Sequence, residues 1–206
     1  MKSKIINFTH QLLWLIFYRF KNSFDLINRN IEHENILSKC QMGLNSSIEF
    51  ESLIHNNSKL KSAIEIGEDT RIRGELLVYD YGGKIKIGNY SFIGPGTRIW
   101  SSKKITIGNR VLISHNVNIH DNNSHPINPI ERHIHYKHII TKGLNLPLSL
   151  NEKEIIIEDD VWIGFNSTIL KGVKIGKGAI IGSNTVVTKD VPEYSVCIGS
   201  PGKIIN

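Results

Sequence analysis

Aliphatic side chains recur at every sixth position through most of the chain. An α-helix gives a period of 3.6 and one face of a strand gives a period of two, so neither explains this spacing. A period of six predicts short strands joined by tight turns, in which three hexapeptides close a triangular coil and successive coils stack in parallel. We therefore expect an all-β parallel β-helix whose interior contains Ile48, Ile54, Leu60, Ile66, Ile72, Val78, Ile87, Ile93, Ile99, Ile107, Ile113, Ile119, Ile157, Ile163, Ile169, Ile175, Ile181 and Val187.

A second position supports the same repeat. The residue four places after each aliphatic is usually small or β-branched, and Leu76 is the exception. Glycine often follows the aliphatic directly, where its conformational freedom suits a tight turn. We expect the second position to be filled by Thr70, Ser91, Thr97, Val111, Val117, Val161, Ser167, Val173, Ala179 and Thr185.

Extra residues interrupt the repeat at three places, and counting in threes assigns all of them to one corner of the prism. They are segments 79–84, 100–104 and 120–154. Loops stacked along one edge of a repeat protein commonly form its binding face. We therefore expect these three segments to lie close together and to form a binding face.

The residues before about 45 lack the six-residue period and predict helices, one from Lys4 to about Asn28 and another from Ile31 to Lys39. The predicted organisation is a short helical segment, 1–45, followed by a β-helix domain, 46–206, that carries the long insertion 120–154.

The apolar stretch 5–20 is too short for a bilayer-spanning helix, which needs about 20 residues. It lacks a small-residue cleavage site after it, so we do not expect a signal peptide. Its aromatic residues stand beside Arg19 and Lys21, a composition that suits a membrane interface. The alternative is a helix that packs on its own domain or on a neighbouring subunit.

The formal net charge is +6, which favours acidic partners such as phosphates or anionic lipid. A Lys/Arg-rich run typical of nucleic-acid-binding tails is missing from the sequence, so a nucleic acid partner is not expected. Cys40 and Cys197 lie far apart and share no motif, which indicates two reduced thiols in a cytosolic protein.

Residues 155–205 contain the motifs VWIG, GVKIG, VVTKDVP and GSPGK in that order. This segment resembles the hexapeptide-repeat acyltransferases, and most closely the branch of maltose, galactoside and polysaccharide O-acetyltransferases. At the level of the repeat, the resemblance covers residues 48–206. It implies a left-handed β-helix, a homotrimer, and acetyl-CoA bound in the cleft between two prisms without a metal.

Members of this branch carry a general base in a His-Pro pair, which the resemblance places at His125 in HDNNSHPI. A histidine with a pKa near neutrality can take the proton of an acceptor hydroxyl as it attacks the thioester carbonyl. His120, at the loop entrance, is a weaker candidate for the base. A zinc site formed by His120, Asp121 and His125, to which the motif HIHYKH (133–138) would add further ligands, is the runner-up hypothesis. The branch needs no metal, however, and we expect none.

Further site residues surround His125 in the sequence. Asp121 or Asn123 would orient the imidazole or hold the acceptor sugar, unless they serve only the turn. Trp162 of VWIG would stack on the sugar or confine the acetyl group, and its alternative role is a trimer contact. The shared corner also brings Ser101 and Ser102 within reach of the acceptor.

The resemblance also carries the donor site, position by position. GSPGK stands where the family more often has GNPAK, and it retains the final lysine of that motif. A cation there would face the phosphates of the cofactor as a point charge. The positions that match the family's coenzyme A contacts are Gly164, Phe165, Gly182, Ser183, Thr188, Lys189 and Lys203.

The predicted activity is direct transfer of acetyl from acetyl-CoA to a sugar hydroxyl of a bacterial surface polysaccharide or its precursor. The predicted location is the cytoplasm, at the inner face of the membrane if 5–20 makes contact there. The alternatives are an N-acetyltransferase acting on an amino sugar nucleotide, a xenobiotic acetyltransferase, and a non-catalytic β-helix scaffold. Carbonic anhydrase relatives share the fold as well.

Overall fold

The structure is a computed structural model that describes residues 2–143 and 149–205, with the side chains of 2–12, 29, 30, 32 and 33 left aside. The described chain divides into two compact units between Leu37 and Ser38. The first unit is helical. Three parallel sheets form the second unit, and successive turns of the chain add one strand to each sheet.

The strands are short and recur in the same order along the chain. The first sheet contains β1 (Gln41–Met42), β4 (Ile64–Ile66), β7 (Ile85–Ile87), β10 (Ile105–Ile107), β13 (Ile155–Ile157) and β16 (Lys174–Ile175). The second contains β2 (Ser47–Ile48), β5 (Arg71–Ile72), β8 (Phe92–Ile93), β11 (Leu112–Ile113), β14 (Trp162–Ile163), β17 (Ile180–Ile181), β19 (Val196–Ile198) and β20 (Lys203–Ile205). The third contains β3 (Leu53–Asn56), β6 (Glu75–Val78), β9 (Arg98–Ser101), β12 (Asn118–His120), β15 (Thr168–Ile169) and β18 (Val186–Val187).

The parallel β-helix expected from the repeat is confirmed. Within 2–143 and 149–205, every strand pairing is parallel except β19 with β20. Equivalent aliphatics stack coil on coil: Ile107 pairs with Ile87 below it and with Ile157 above it. The small or β-branched second positions are buried as well. Each coil thus covers the apolar face of its neighbour, which no single coil could bury alone.

The predicted repeat is wrong at its N-terminal edge. Leu60 is 66% exposed and lies outside the core. In the third sheet Leu76, rather than Val78, pairs with Ile54 and Ile99, while Val78 pairs with Ser101. Leu76 and Val78 are both buried because β6 is longer than most of the strands, so two alternate side chains point inward. This register explains why Leu76 breaks the second-position pattern.

The N-terminal helix also differs from the expectation. A single helix, α1 (Lys2–Lys39), replaces the two predicted helices, and β1 starts before the predicted boundary at residue 45. The segment contains no Gly or Pro, so the Asn-rich stretch near residue 29 lowers helix propensity without breaking the helix. No helix in the described ranges is both long and apolar enough for a transmembrane span.

The long insertion leaves β12 at His120 and returns at Ile155. It contains a second helix, α2 (Pro129–Lys142), which the sequence analysis did not predict. The Asn128 side chain accepts hydrogen bonds from the backbone N–H groups of Ile130 and Glu131, at 2.9 and 3.3 Å. Pro129 occupies the first turn, and Gly143 ends the helix with a φ of 91°. These are the usual signals of a helix start and stop.

Candidate active site

The three insertions meet at the corner between the third and first sheets, as predicted. The backbone N–H of Tyr79 donates to the Ser101 carbonyl at 3.1 Å, which joins the first insertion to the second. The N–H of Lys153 donates to the Asp121 carbonyl at 2.9 Å, and Asn123 N–H donates to Leu150 at 3.1 Å. These bonds close the base of the long insertion directly above the other two.

Asp121 is fully buried at this corner and links two of the insertions. Its carboxylate accepts hydrogen bonds from the Ser101 hydroxyl at 2.7 Å and from the backbone N–H groups of Ser102 and Lys103, both at 2.9 Å. The Ser102 hydroxyl and the Asn122 amide add longer bonds of 3.2 Å each. These donors satisfy both oxygens of the buried carboxylate.

Ser101 and Ser102 lie beneath the surface rather than on it, and both hydroxyls are turned toward Asp121. The hydrogen bonds that the described residues give to Asp121 come from 101–103 and 122, and His125 is not among the donors. The geometry therefore gives these three predicted residues a shared architectural role.

His125 lies exposed in the turn that follows β12. Its backbone N–H donates to the Asn123 carbonyl at 2.7 Å, and Asn122 Oδ1 accepts from the backbone N–H of Ser124 at 2.7 Å. Ser124 has a φ of 61°, and Pro126 is buried directly after the histidine. The turn is thus held by hydrogen bonds among its own residues, and it presents the imidazole at the corner.

The partner of His125 is a residue that the sequence analysis left unassigned. Nδ1 of His125 lies 3.2 Å from Nδ1 of His135 on α2, with the rings edge to face at 70°. His135 is only 3% exposed. Burial lowers its pKa, and the positive charges of His125 and His138 lower it further. The motif HIHYKH contained the signal, but only a helix places its second histidine back against the turn.

His120, the second candidate for the base, has a different environment. Its ring stacks on Trp100 with centroids 4.8 Å apart, and Trp100 Nε1 donates to Glu75 at 3.1 Å. Burial lowers the pKa of His120; Asp121 opposes this and Arg98 adds to it. Nε2 is buried and meets no hydrogen-bond partner among the described residues. This environment suits a neutral packing residue.

Metal ligands do not converge at this corner. Across 2–143 and 149–205, no group of three or more His, Cys, Asp or Glu residues could hold a metal ion.

Two aromatic residues that the sequence analysis overlooked, Tyr79 and Tyr81, stack at this corner with centroids 5.2 Å apart. Burial, followed by the charges of Asp121 and Glu75, raises the pKa of Tyr79 to about 12. Burial raises the pKa of Tyr81 as well, so both phenols stay neutral and the stacked pair is uncharged.

Four of the predicted donor-site residues meet at the corner between the second and third sheets. Gly164 and Phe165 belong to one coil, and Gly182 and Ser183 belong to the next. The N–H of Asn184 donates to the Phe165 carbonyl at 2.9 Å. Phe165 is 39% exposed and stacks on His115 with centroids 5.1 Å apart. A Cβ at Gly164 would lie 2.6 Å from the Ser183 backbone nitrogen, so glycine also permits the close approach of these coils.

The remaining predicted residues lie elsewhere on the prism. Thr188 and Lys189 are exposed after β18, and Lys203 is exposed on the antiparallel strand β20, where it pairs with Ile198. Trp162 is 53% exposed on the outer face of the second sheet, between Leu112 and Ile180. Thus His125 and the Gly164–Phe165 turn belong to different corners of one prism.

Comparisons with known proteins agree with this architecture. Residues 154–189 match the family model described as bacterial transferase hexapeptide (six repeats). A galactoside O-acetyltransferase of Lactococcus lactis is 32% identical over 138 residues, which cover 66% of this chain and 59% of that protein. A polysialic acid O-acetyltransferase of Escherichia coli O1:K1 is 36% identical over 143 residues, which cover 69% of this chain and 42% of that protein. The matches thus span about half the length of these relatives.

Solved structures share the fold at lower identity. AntD, an N-acyltransferase from Bacillus cereus in complex with dTDP and 3-hydroxybutyryl-CoA, matches with a TM-score of 0.65 at 22% identity, over 86% of this chain and 87% of that chain. A maltose O-acetyltransferase from Clostridium difficile 630 matches with a TM-score of 0.54 at 24% identity, over 83% of this chain and 71% of that chain. The predicted resemblance to the hexapeptide-repeat acyltransferases is confirmed.

Proposed function

We propose that this chain, a hexapeptide-repeat protein similar to known O-acetyltransferases, transfers acetyl from acetyl-CoA to a sugar hydroxyl of a surface polysaccharide or its precursor. One observation carries the proposal: an exposed histidine in a His-Pro turn, His125, lies at the corner where all three insertions meet. The galactoside and polysialic acid O-acetyltransferases among the relatives support it, because both are named for sugar acceptors.

In the proposed reaction His125 acts as a general base. Its unprotonated ring nitrogen takes the proton of the acceptor hydroxyl while the oxygen attacks the thioester carbonyl. Collapse of the tetrahedral intermediate breaks the C–S bond, and the imidazolium returns the proton to the leaving thiolate. The acetyl ester and free coenzyme A are the products. Tyr79 and Tyr81 would border the acceptor as an apolar wall.

The donor would lie along the corner formed by Gly164, Phe165, Gly182 and Ser183, with Lys203 toward its phosphates. We infer that a second prism completes the site, because His125 and this corner belong to different edges of one chain. A homotrimer of left-handed β-helices, as the resemblance implies, would supply that second edge. The exposed apolar side chains of Leu112 and Trp162 on the second sheet would suit such a contact.

The test is a coenzyme A release assay against a panel of sugars and sugar nucleotides. The change His125→Ala should lower turnover by about 10²- to 10⁴-fold, the contribution of a general base, and leave acetyl-CoA affinity nearly unchanged by calorimetry. His133→Ala, which removes an exposed imidazole elsewhere in the insertion, is the matched control. Retained activity in His125→Ala would rule out the proposed base.

The same assay separates the two acetylation chemistries. Mild alkali releases acetate from a hydroxyl ester but leaves an amide intact. An alkali-stable product on an amino sugar nucleotide would replace the O-acetyl proposal with the N-acetyl alternative. If the protein binds acetyl-CoA but releases no coenzyme A with any of the acceptors, the scaffold alternative is favoured.

We further propose that the protein works in the cytoplasm and makes peripheral contact with the membrane through residues 5–20. In the described part of this stretch, Leu13 to Tyr18 are all exposed apolar residues. The sequence from Lys2 to Phe24 contains four Lys or Arg residues (Lys2, Lys4, Arg19 and Lys21) and no Asp or Glu. This composition suits the surface of an anionic bilayer.

A further inference from the structure

We propose that His135 is a positioning residue that accepts a hydrogen bond from Nδ1–H of His125 and so leaves the Nε2 lone pair of His125 free for the acceptor proton. The inference rests on the proposed role of His125 as base. It starts from one contact, the 3.2 Å separation of the two Nδ1 atoms. Neither Asp121 nor Asn123, the residues expected to orient the base, occupies this position.

The chemistry of the pair sets the direction of the hydrogen bond. Two imidazole nitrogens can share a hydrogen bond only when one carries the proton and the other offers its lone pair. A base that works through Nε2 must carry its own proton on Nδ1, so His125 is the donor and His135 the acceptor. His135 must then stay neutral, as its burial and lowered pKa favour.

The surrounding structure holds His135, the hydrogen-bond acceptor, in place. His135 lies near the middle of α2, whose start is capped by Asn128. Arg132, one turn earlier, donates from Nη1 to the Ile127 carbonyl at 3.0 Å and to the Pro126 carbonyl at 3.5 Å. The helix is therefore tied to the residues that directly follow His125. This arrangement orients the imidazole from the insertion rather than from the β-helix.

The charged and titratable neighbours do not replace this role. His125 and His138 are the groups whose charges act on His135, and both disfavour its protonation. Arg132 points its guanidinium at backbone carbonyls. When His125 takes up the acceptor proton, its Nδ1–H remains donated to a neutral partner, so the hydrogen bond stabilises the imidazolium without a full counter-charge.

The first experiment needs no acceptor. Nitrogen-15 NMR of the histidine-labelled full chain, with signals assigned by single histidine variants, reports which ring nitrogen carries the proton. Near pH 8 we expect His125 to be protonated at Nδ1 and His135 at Nε2. The reverse pattern, or a His125 tautomer mixture that His135→Leu leaves unchanged, would overturn the proposal.

The second experiment uses an acceptor found with the sugar panel. His135→Leu should lower kcat by about 10-fold or more, part of the 10²- to 10⁴-fold that a general base supplies, with KM for acetyl-CoA unchanged. The change also removes a hydrogen bond that stabilises the imidazolium, so the acidic limb of kcat/KM should move to lower pH. His135→Asn, whose amide oxygen can accept at the Nδ1 position, should restore most of both.

His133→Leu, an exposed change on the same helix, is the control and should alter neither quantity. A drop in kcat with an unmoved limb and no rescue by Asn would mean that His135 only supports the fold. The proposed function fails separately, if His125→Ala stays active. An inactive His125→Ala beside a fully active His135→Leu would refute the positioning role alone.

Discussion

At the scale of single residues, the corner is organised by a buried carboxylate rather than by the histidines. The Asp121 carboxylate accepts hydrogen bonds from the Ser101 hydroxyl and from the backbone N–H groups of Ser102 and Lys103. Each hydrogen bond to a charged group contributes about 1.5–3 kcal/mol, so the network is a substantial part of what holds the second insertion in place.

The change Asp121→Asn tests this role. An amide keeps the shape but turns an NH₂ group toward backbone donors, so one of them loses its acceptor. We expect the free energy of unfolding to fall by about 1–3 kcal/mol in urea titrations. Asp69→Asn is the control because Asp69 is exposed at a turn with a φ of 51°, which Asn tolerates. Equal stability of the two variants would contradict an architectural role for Asp121.

At the scale of elements, α2 lies within the long insertion and is stabilised by its own capping residues. The change Asn128→Ala removes the side chain that caps two backbone N–H groups and should destabilise the helix by about 1 kcal/mol. Hydrogen exchange of the α2 amides should then speed up about fivefold, while the β-helix amides stay unchanged. Lys137→Ala, an exposed change that keeps the cap, should leave the exchange nearly as it is. Equal acceleration of exchange at the α2 amides and at the β-helix amides would contradict a helix that is stabilised independently.

The elements also show what could be predicted. The β-helix was predictable because each coil repeats the same pattern, an aliphatic residue at every sixth position. The errors at Leu60 and Val78 therefore do not affect the prediction for the other coils. The start and stop signals of α2, Asn128-Pro129 and Gly143, are present in the sequence. The helix was not predicted because the whole segment was expected to be a loop. The contact between His125 and His135 was not readable, because it depends on where a helix docks. The hydrogen bonds of Asp121 were equally hidden, since backbone donors leave no side-chain pattern.

At the scale of the whole molecule, the N-terminal unit and the β-helix have different solvent requirements. The β-helix buries its aliphatics within the coil stack, whereas α1 exposes an unbroken apolar run that includes Trp14 and Phe17. Such a run needs a cover, either a lipid surface or another protein helix. The cationic flank without acidic residues before Asp25 favours the lipid surface.

Vesicle sedimentation decides between these two covers. The full chain should pellet with vesicles rich in phosphatidylglycerol and far less with phosphatidylcholine alone, because each Lys or Arg near an anionic surface contributes about 1 kcal/mol. Deleting residues 1–20 should leave the protein in the supernatant with its coenzyme A release intact. Trp14→Ser with Phe17→Ser should weaken binding to both vesicle types while keeping the charges. If the full chain stays in the supernatant with anionic vesicles, or if the deletion breaks up an oligomer, the run is covered by protein and the membrane proposal is refuted.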